Sequence, residues 1–178
     1  MAPIISTTEQ NHSLLIETKY ITILAAYFQP NETAIDIIDE LGQQITQSKT
    51  DKPLIIAGDF NCRLDIPNHK TKLVLESLQE EGFFLLNDRN VPTYICHNGK
   101  STIDIALTRG SIKGEIKPLW KANHTPIRKH IPMNINIQCE WKAPNKQENK
   151  PLSRRHLLYC TVLFSILKST ILSYNPFN

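Results

Sequence analysis

Residues 53–61, PLIIAGDFN, constrain this chain more than any other stretch. An apolar run through Leu54, Ile55, Ile56 and Ala57 ends in Gly58 and reads as a core strand. It delivers Asp59 and Asn61 two residues apart, the period that places both side chains on one face of an extended strand. Polar groups at the end of a core strand cost free energy unless something pairs with them, and a metal ion, a phosphate or a catalytic partner is one such something. A Gly-Asp turn after an ordinary strand is the other account of the same residues.

The elements on either side of this strand suggest an α/β arrangement. Leu14, Leu15 and Ile16 precede a polar Glu17-Thr18-Lys19 turn and a β-rich run over residues 20–28, which predicts a hairpin ended by Pro30. Thr33 with Asp36 matches a capping box for a helix carrying Ile35, Ile38, Leu41 and Ile45, and residues 43–51 then return the chain to the GDFN strand. Strand, helix, strand is a βαβ-like unit, with direct pairing of the strands left open. A second helix is expected over residues 71–81, stopped at Gly82, followed by a short buried strand over residues 83–86. Asn98-Gly99 between β-rich runs predicts a hairpin whose returning arm is residues 102–108. On that arm Asp104 shares a face with Thr102 and Ala106, away from Ile103, Ile105 and Leu107, so a solvent-facing aspartate on a half-buried strand is one account of it. Residues 121–127 form a polar turn, and an alternating strand follows over residues 131–137.

Both ends differ in character. Residues 1–12 show no periodicity and are expected to be disordered; residues 139–156 are charged and turn-rich like a linker; residues 157–178 form an apolar tail open to helix or strand. No stretch reaches the roughly 18 uncharged apolar residues of a membrane span, and no basic segment leads into an apolar one at the N-terminus. At 178 residues, a net charge of +3 tolerates a polyanionic partner without demanding one. The four cysteines, Cys62, Cys96, Cys139 and Cys160, include no C-x-x-C pair, which argues against a zinc knuckle and for reduced thiols inside a cell.

Asp59 and Asn61 in GDFN, Asp104 in STIDIAL and His124 in NHTPI, in this order, resemble the endonuclease/exonuclease/phosphatase family, and within it the apurinic-type endonucleases of non-LTR retrotransposons. Tyr27 in AYFQP and the NDRNVPTY passage belong to the same likeness, which covers residues 13–138. The resemblance implies a partial two-sheet α/β sandwich whose first strands are missing, and a truncated domain that cuts DNA with Mg²⁺ or Mn²⁺. It implies that Asp59 orients or deprotonates the attacking water and Asn61 positions that water on the phosphate. His124 would bind a phosphate oxygen or act as acid or base, Asp104 would set its tautomer, and Tyr27 would donate to the scissile phosphate.

Two departures bear on activity. The family carries an early Asn and a metal-binding Glu ahead of the hairpin, and neither Glu9 nor Glu17 sits in a matching motif. Its final Asp-His pair reads Asn123-His124, so a metal site built on Asp59 and Asn123 loses a full negative charge. Weakened metal binding and an impaired nuclease follow, intracellular and nuclear if it acts on DNA. A non-enzymatic remnant that binds nucleic acid or protein is the alternative, and a phosphatase of the same superfamily a second one. His69, His97 and His130 have no such motif around them and are expected to be structural.

Overall fold

The computed structural model describes residues 4–19, 21–48, 52–110, 112–118, 129–131, 133–140, 157–159 and 162–163. Strand β1 (Ile4–Glu9) lies antiparallel to β2 (Ser13–Thr18), which forms the expected hairpin with β3 (Thr22–Tyr27). Residues 4–9 are therefore ordered as a strand where disorder was expected. Backbone pairing and the Ser6 hydroxyl on Glu17 Oε2 (2.8 Å) hold β1 at the sheet edge; its side chains are all exposed, so no buried face marks it in the sequence. His12, at the start of the hairpin, is a structural residue: its Nδ1 lies 3.1 Å from Glu40 Oε2 and ties the hairpin to the following helix.

That helix, α1 (Ala34–Gln47), has the predicted cap: the Asp36 amide donates to Thr33 Oγ1 (3.2 Å) and the Thr33 amide to Asp36 Oδ2 (3.2 Å). Its buried face is Ala34, Ile37, Leu41, Gln44 and Ile45. Ile35, expected on that face, is 68% exposed because the helix turns Ile37 to the sheet instead, and the helix continues through residues assigned to the return. Strand β4 (Leu54–Asp59) then pairs directly with β3 in parallel, from Thr22 opposite Leu54 to Tyr27 opposite Asp59. The unit is a true βαβ.

Asn68 caps α2 (His69–Glu80) by accepting from the Thr71 amide (2.9 Å), and Gly82 ends it at φ +81°. Strands β5 (Phe84–Leu85), β6 (Tyr94–Cys96), β7 (Gly99–Ser101) and β8 (Asp104–Arg109) follow. The hairpin partner of β6 is β7, with His97 and Asn98 at the turn, so Gly99 belongs to the returning strand. The longer arm expected to pair with it, β8, sits instead between β4 and β5 in a six-stranded sheet of order β1-β2-β3-β4-β8-β5. A second sheet holds β9 (Ile112–Pro118), β10 (Met133–Glu140), β11 (Leu157–Tyr159) and β12 (Val162–Leu163), all antiparallel to β10. β10 runs on through Cys139 and Glu140, where a linker was expected, and the described parts of the apolar tail are strands.

Both faces of the large sheet are covered. Leu24, Ile56, Ile105 and Leu107 meet Ile37, Leu41, Val74 and Leu78 of the helices, while Ile23, Ile55, Ala57 and Ala106 meet Ile135 of β10 on the opposite side. The architecture is a mixed α/β fold with a large and a small sheet. The continuous apolar run of β4 follows from its central place, since a strand covered on two faces has no solvent side. Among the described residues no helix is long and apolar enough to cross a membrane.

Gly58 lies opposite Ala26, and a β-carbon there would sit 1.7 Å from the Ala26 carbonyl oxygen. Gly58→Ala should therefore destabilise the fold by more than ~3 kcal/mol or prevent folding, because the obstruction is backbone on a central strand. Gly42→Ala, with nothing within 4 Å of the added carbon in the middle of α1, should instead gain up to ~1 kcal/mol. Urea unfolding of the two variants checks both signs, and equal effects would contradict this packing.

Candidate active site

The pairing of β4 with β8 places Asp59 directly opposite Asp104, the last residue of one strand against the first of the other. Asp59 is 5% exposed and Asp104 is largely buried. Two carboxylates facing each other across neighbouring strands repel unless a proton or cation lies between them. His130 supplies the contact. Its Nδ1 lies 2.9 Å from Asp104 Oδ2 and 3.1 Å from Oδ1, and its Nε2 lies 3.7 Å from Asp59 Oδ2. An ionised Asp104 accepts from Nδ1–H, which fixes the tautomer that leaves Nε2 toward Asp59.

Each member is held from behind. The His130 ring packs edge-on against Tyr94 (centroids 4.8 Å apart), and backbone bonds from the Ile95 amide to the Lys129 carbonyl (2.9 Å) and from the Ile131 amide to the Thr93 carbonyl (2.8 Å) dock its segment on β6. The Asp104 amide donates to Thr93 Oγ1 (2.9 Å); Asn87 donates to the Asp104 carbonyl (3.0 Å) and accepts from the Ala106 amide (2.7 Å). Burial pushes the Asp104 carboxyl above its ordinary value, against the hydrogen bond and charge of His130, and the neighbouring Asp59 pushes it the same way.

Asn61 reaches the site by another route than strand alternation. β4 stops at Asp59, and Asn61 takes a left-handed conformation at φ +48°, its amide donating to Asp59 Oδ1 (3.1 Å) and its Nδ2 to the Phe28 carbonyl (2.7 Å). The same-face expectation for Asp59 and Asn61 gives way to a tight turn, a conformation Asn tolerates better than most residues. Tyr27 lies beside Asp59 in the β3–β4 register. Asn123 and His124 lie outside the described residues. His130, expected to be structural, contacts Asp104 and is the histidine that does so among the described residues. The signal available for it was its place one residue before the alternation of Ile131, Met133 and Ile135 that marks the last strand.

Asp59, Asp104 and His130 offer ligand atoms that all lie within 4.8 Å of one another, a spacing that fits a divalent ion. Two carboxylates suit a hard cation such as Mg²⁺, and the imidazole shifts the donor set toward Mn²⁺.

The family model described as endonuclease–reverse transcriptase matches residues 21–128. A search of curated protein sequences finds no match. Among solved structures, the endonuclease domain of TRAS1, a telomere-specific non-LTR retrotransposon, is similar at a TM-score of 0.59 and 19% identity, over 76% of this chain and 67% of that one. A 3′ phosphatase, NExo, from Neisseria bound to a product DNA hairpin is similar at 0.53 and 11%, over 74% and 70%. The NExo 3′–5′ exonuclease from Neisseria meningitidis is similar at 0.53 and 11%, over 70% and 64%. The chain thus spans about two thirds of the structures it resembles. At these identities the likeness establishes the fold, and together with the family model, which covers more than half of the sequence, it shows that the chain belongs to the endonuclease/exonuclease/phosphatase family, on its retrotransposon endonuclease branch.

Proposed function

We propose that this chain is a divalent-metal phosphodiesterase that cuts DNA, with a centre made of Asp59, Asn61, Asp104 and His130 and with Tyr27 beside it. The observation that carries the proposal is His130 set between Asp104 and Asp59 at the adjoining ends of β4 and β8. Asp59 accepts a proton from, or orients, the attacking water. His130 donates to a phosphate oxygen or accepts the water's proton through Nε2, Asp104 holds its ring, and Asn61 positions Asp59 through its backbone amide. Asp59 and Asp104 would hold the ion, which when bound supplies a Lewis acid for the charge that builds on the phosphoryl oxygens. The family resemblance gave the histidine role to His124; the contact with Asp104 favours His130.

The proposed activity is weak. A family Asp is expected before the site histidine, yet Asn123 precedes His124 and Lys129 precedes His130, so on either assignment an anion is missing from the metal's surroundings.

Plasmid nicking in Mg²⁺ or Mn²⁺ tests the proposal. The purified chain should nick slowly, EDTA should stop it, and Asp59→Ala should cost about 10² to 10⁴ in rate. Nicking that persists undiminished in Asp59→Ala would refute the centre. His130→Ala should lose about 10²-fold or more and His124→Ala no more than a few-fold; the reverse result returns the role to His124.

In the metal-free chain the raised carboxyl of Asp104 makes stability depend on pH. A carboxyl raised in the folded state binds its proton more tightly there, so its contribution is full below the ordinary carboxylate pKa and is lost as pH rises through the raised one. Asp104→Asn should abolish this stability loss, as read by urea unfolding in EDTA across pH.

A further inference from the structure

Beside the site, on the side of the β6–β7 hairpin, lies a cleft of about 540 Å³ bounded by Asp65, Arg89, Asn90, Lys100, Ser101 and Thr102. Its floor is tied to the centre. The Thr102 amide donates to Asp65 Oδ1 (3.1 Å), its hydroxyl to the Val91 carbonyl (3.0 Å), and its carbonyl accepts from the Leu64 amide (2.9 Å). Thr102 precedes Asp104 by two residues, so no more than about 7 Å of backbone separates the cleft floor from the carboxylate that holds His130.

The charge on the walls is unbalanced. Asp65 is an acid among the lining residues, and Arg63 already meets it, with Nη2 2.5 Å from Oδ2, which holds the carboxyl below its usual range. Asp88, next to Arg89 in sequence, accepts from the amide (2.9 Å) and Nδ2 (3.2 Å) of Asn90. Arg89 and Lys100, both exposed, therefore bring positive charge to a polar cleft, while the Asn90 and Ser101 side chains offer further hydrogen-bond donors. Leu64, Pro67 and Pro92 add apolar surface that the face of a sugar could cover. The positive charge favours a phosphate, and Thr102 in the floor ties the cleft to the strand that carries Asp104.

We infer that this cleft seats the phosphodiester flanking the one that is cut, with Arg89 and Lys100 as its charge partners. The inference rests on the proposed nuclease function and names the residues that position the strand for it. Arg89 and Lys100 are positioning residues, remote from the reacting atoms. Losing them should raise KM for DNA more than it lowers kcat.

The test is equilibrium binding of a short fluorescent DNA duplex to the full chain over a range of salt, in EDTA so that no cutting occurs. Arg89→Gln with Lys100→Gln is compared with the charge-matched pair Lys19→Gln and Lys52→Gln at the opposite end of the central strands. Each phosphate contact contributes about 0.9 to the slope of log affinity against log salt, so the cleft pair, which shares one phosphate, should flatten that slope by close to 1 and the control pair should leave it unchanged. Equal slopes in the wild type and the cleft pair overturn the inference even if plasmid nicking is robust. A flattened slope in a chain that does not nick upholds the cleft and defeats the nuclease proposal instead. On a duplex with a mapped nick, a neutral methylphosphonate one linkage away should weaken the wild type and leave the cleft pair unaffected; equal sensitivity of both overturns the placement beside the cut.

Discussion

The pairing of β4 with β3 on one side and β8 on the other is the constraint on which the rest depends. It sets Tyr27, Asp59 and Asp104 in one row across three strands. The row exists only because Gly58 has no side chain, since the Ala26 carbonyl occupies the space a β-carbon would need. Burial of both sheet faces then makes the row rigid: the helices cover one side, and β10 the other. A site built at the adjoining ends of paired core strands inherits their precision, which loop residues would not share.

The cost of that precision is electrostatic. Burial makes Asp104 hold its proton more tightly, and repulsion from Asp59 opposite adds to the effect. His130 lowers the cost by hydrogen bonding to Asp104 and approaching Asp59, and a divalent cation would lower it further. Arg63 pairs with Asp65 in the neighbouring cleft.

Much of this was legible along the chain. The apolar run into GDFN, the Thr33–Asp36 box and Gly82 at the end of α2 are local patterns, and each became the element or cap it predicts. The alternation around Asp104 also became a strand, but one buried on both faces, so Asp104 is largely buried instead of facing solvent. Local patterns failed where an element has no buried face, as in β1, or where side chain and backbone compete, as at Asn61. There a hydrogen bond to Asp59 Oδ1 draws the chain into a left-handed turn and ends the strand. His130 was missed for a different reason. Its importance comes from a contact with a residue 26 positions away, and nothing in its immediate sequence encodes that distance.

By itself, the sequence determined the family, the βαβ unit and the two aspartates, because hydrophobic period, capping chemistry and motif order are properties of neighbouring residues. Tertiary structure alone decided that β3 and β4 pair directly, that Asp59 faces Asp104, and that among the described residues His130 lies against both. Register across strands and the docking of residues 129–131 on β6 are set by packing between segments far apart in the chain, where sequence spacing carries no measure of distance in space.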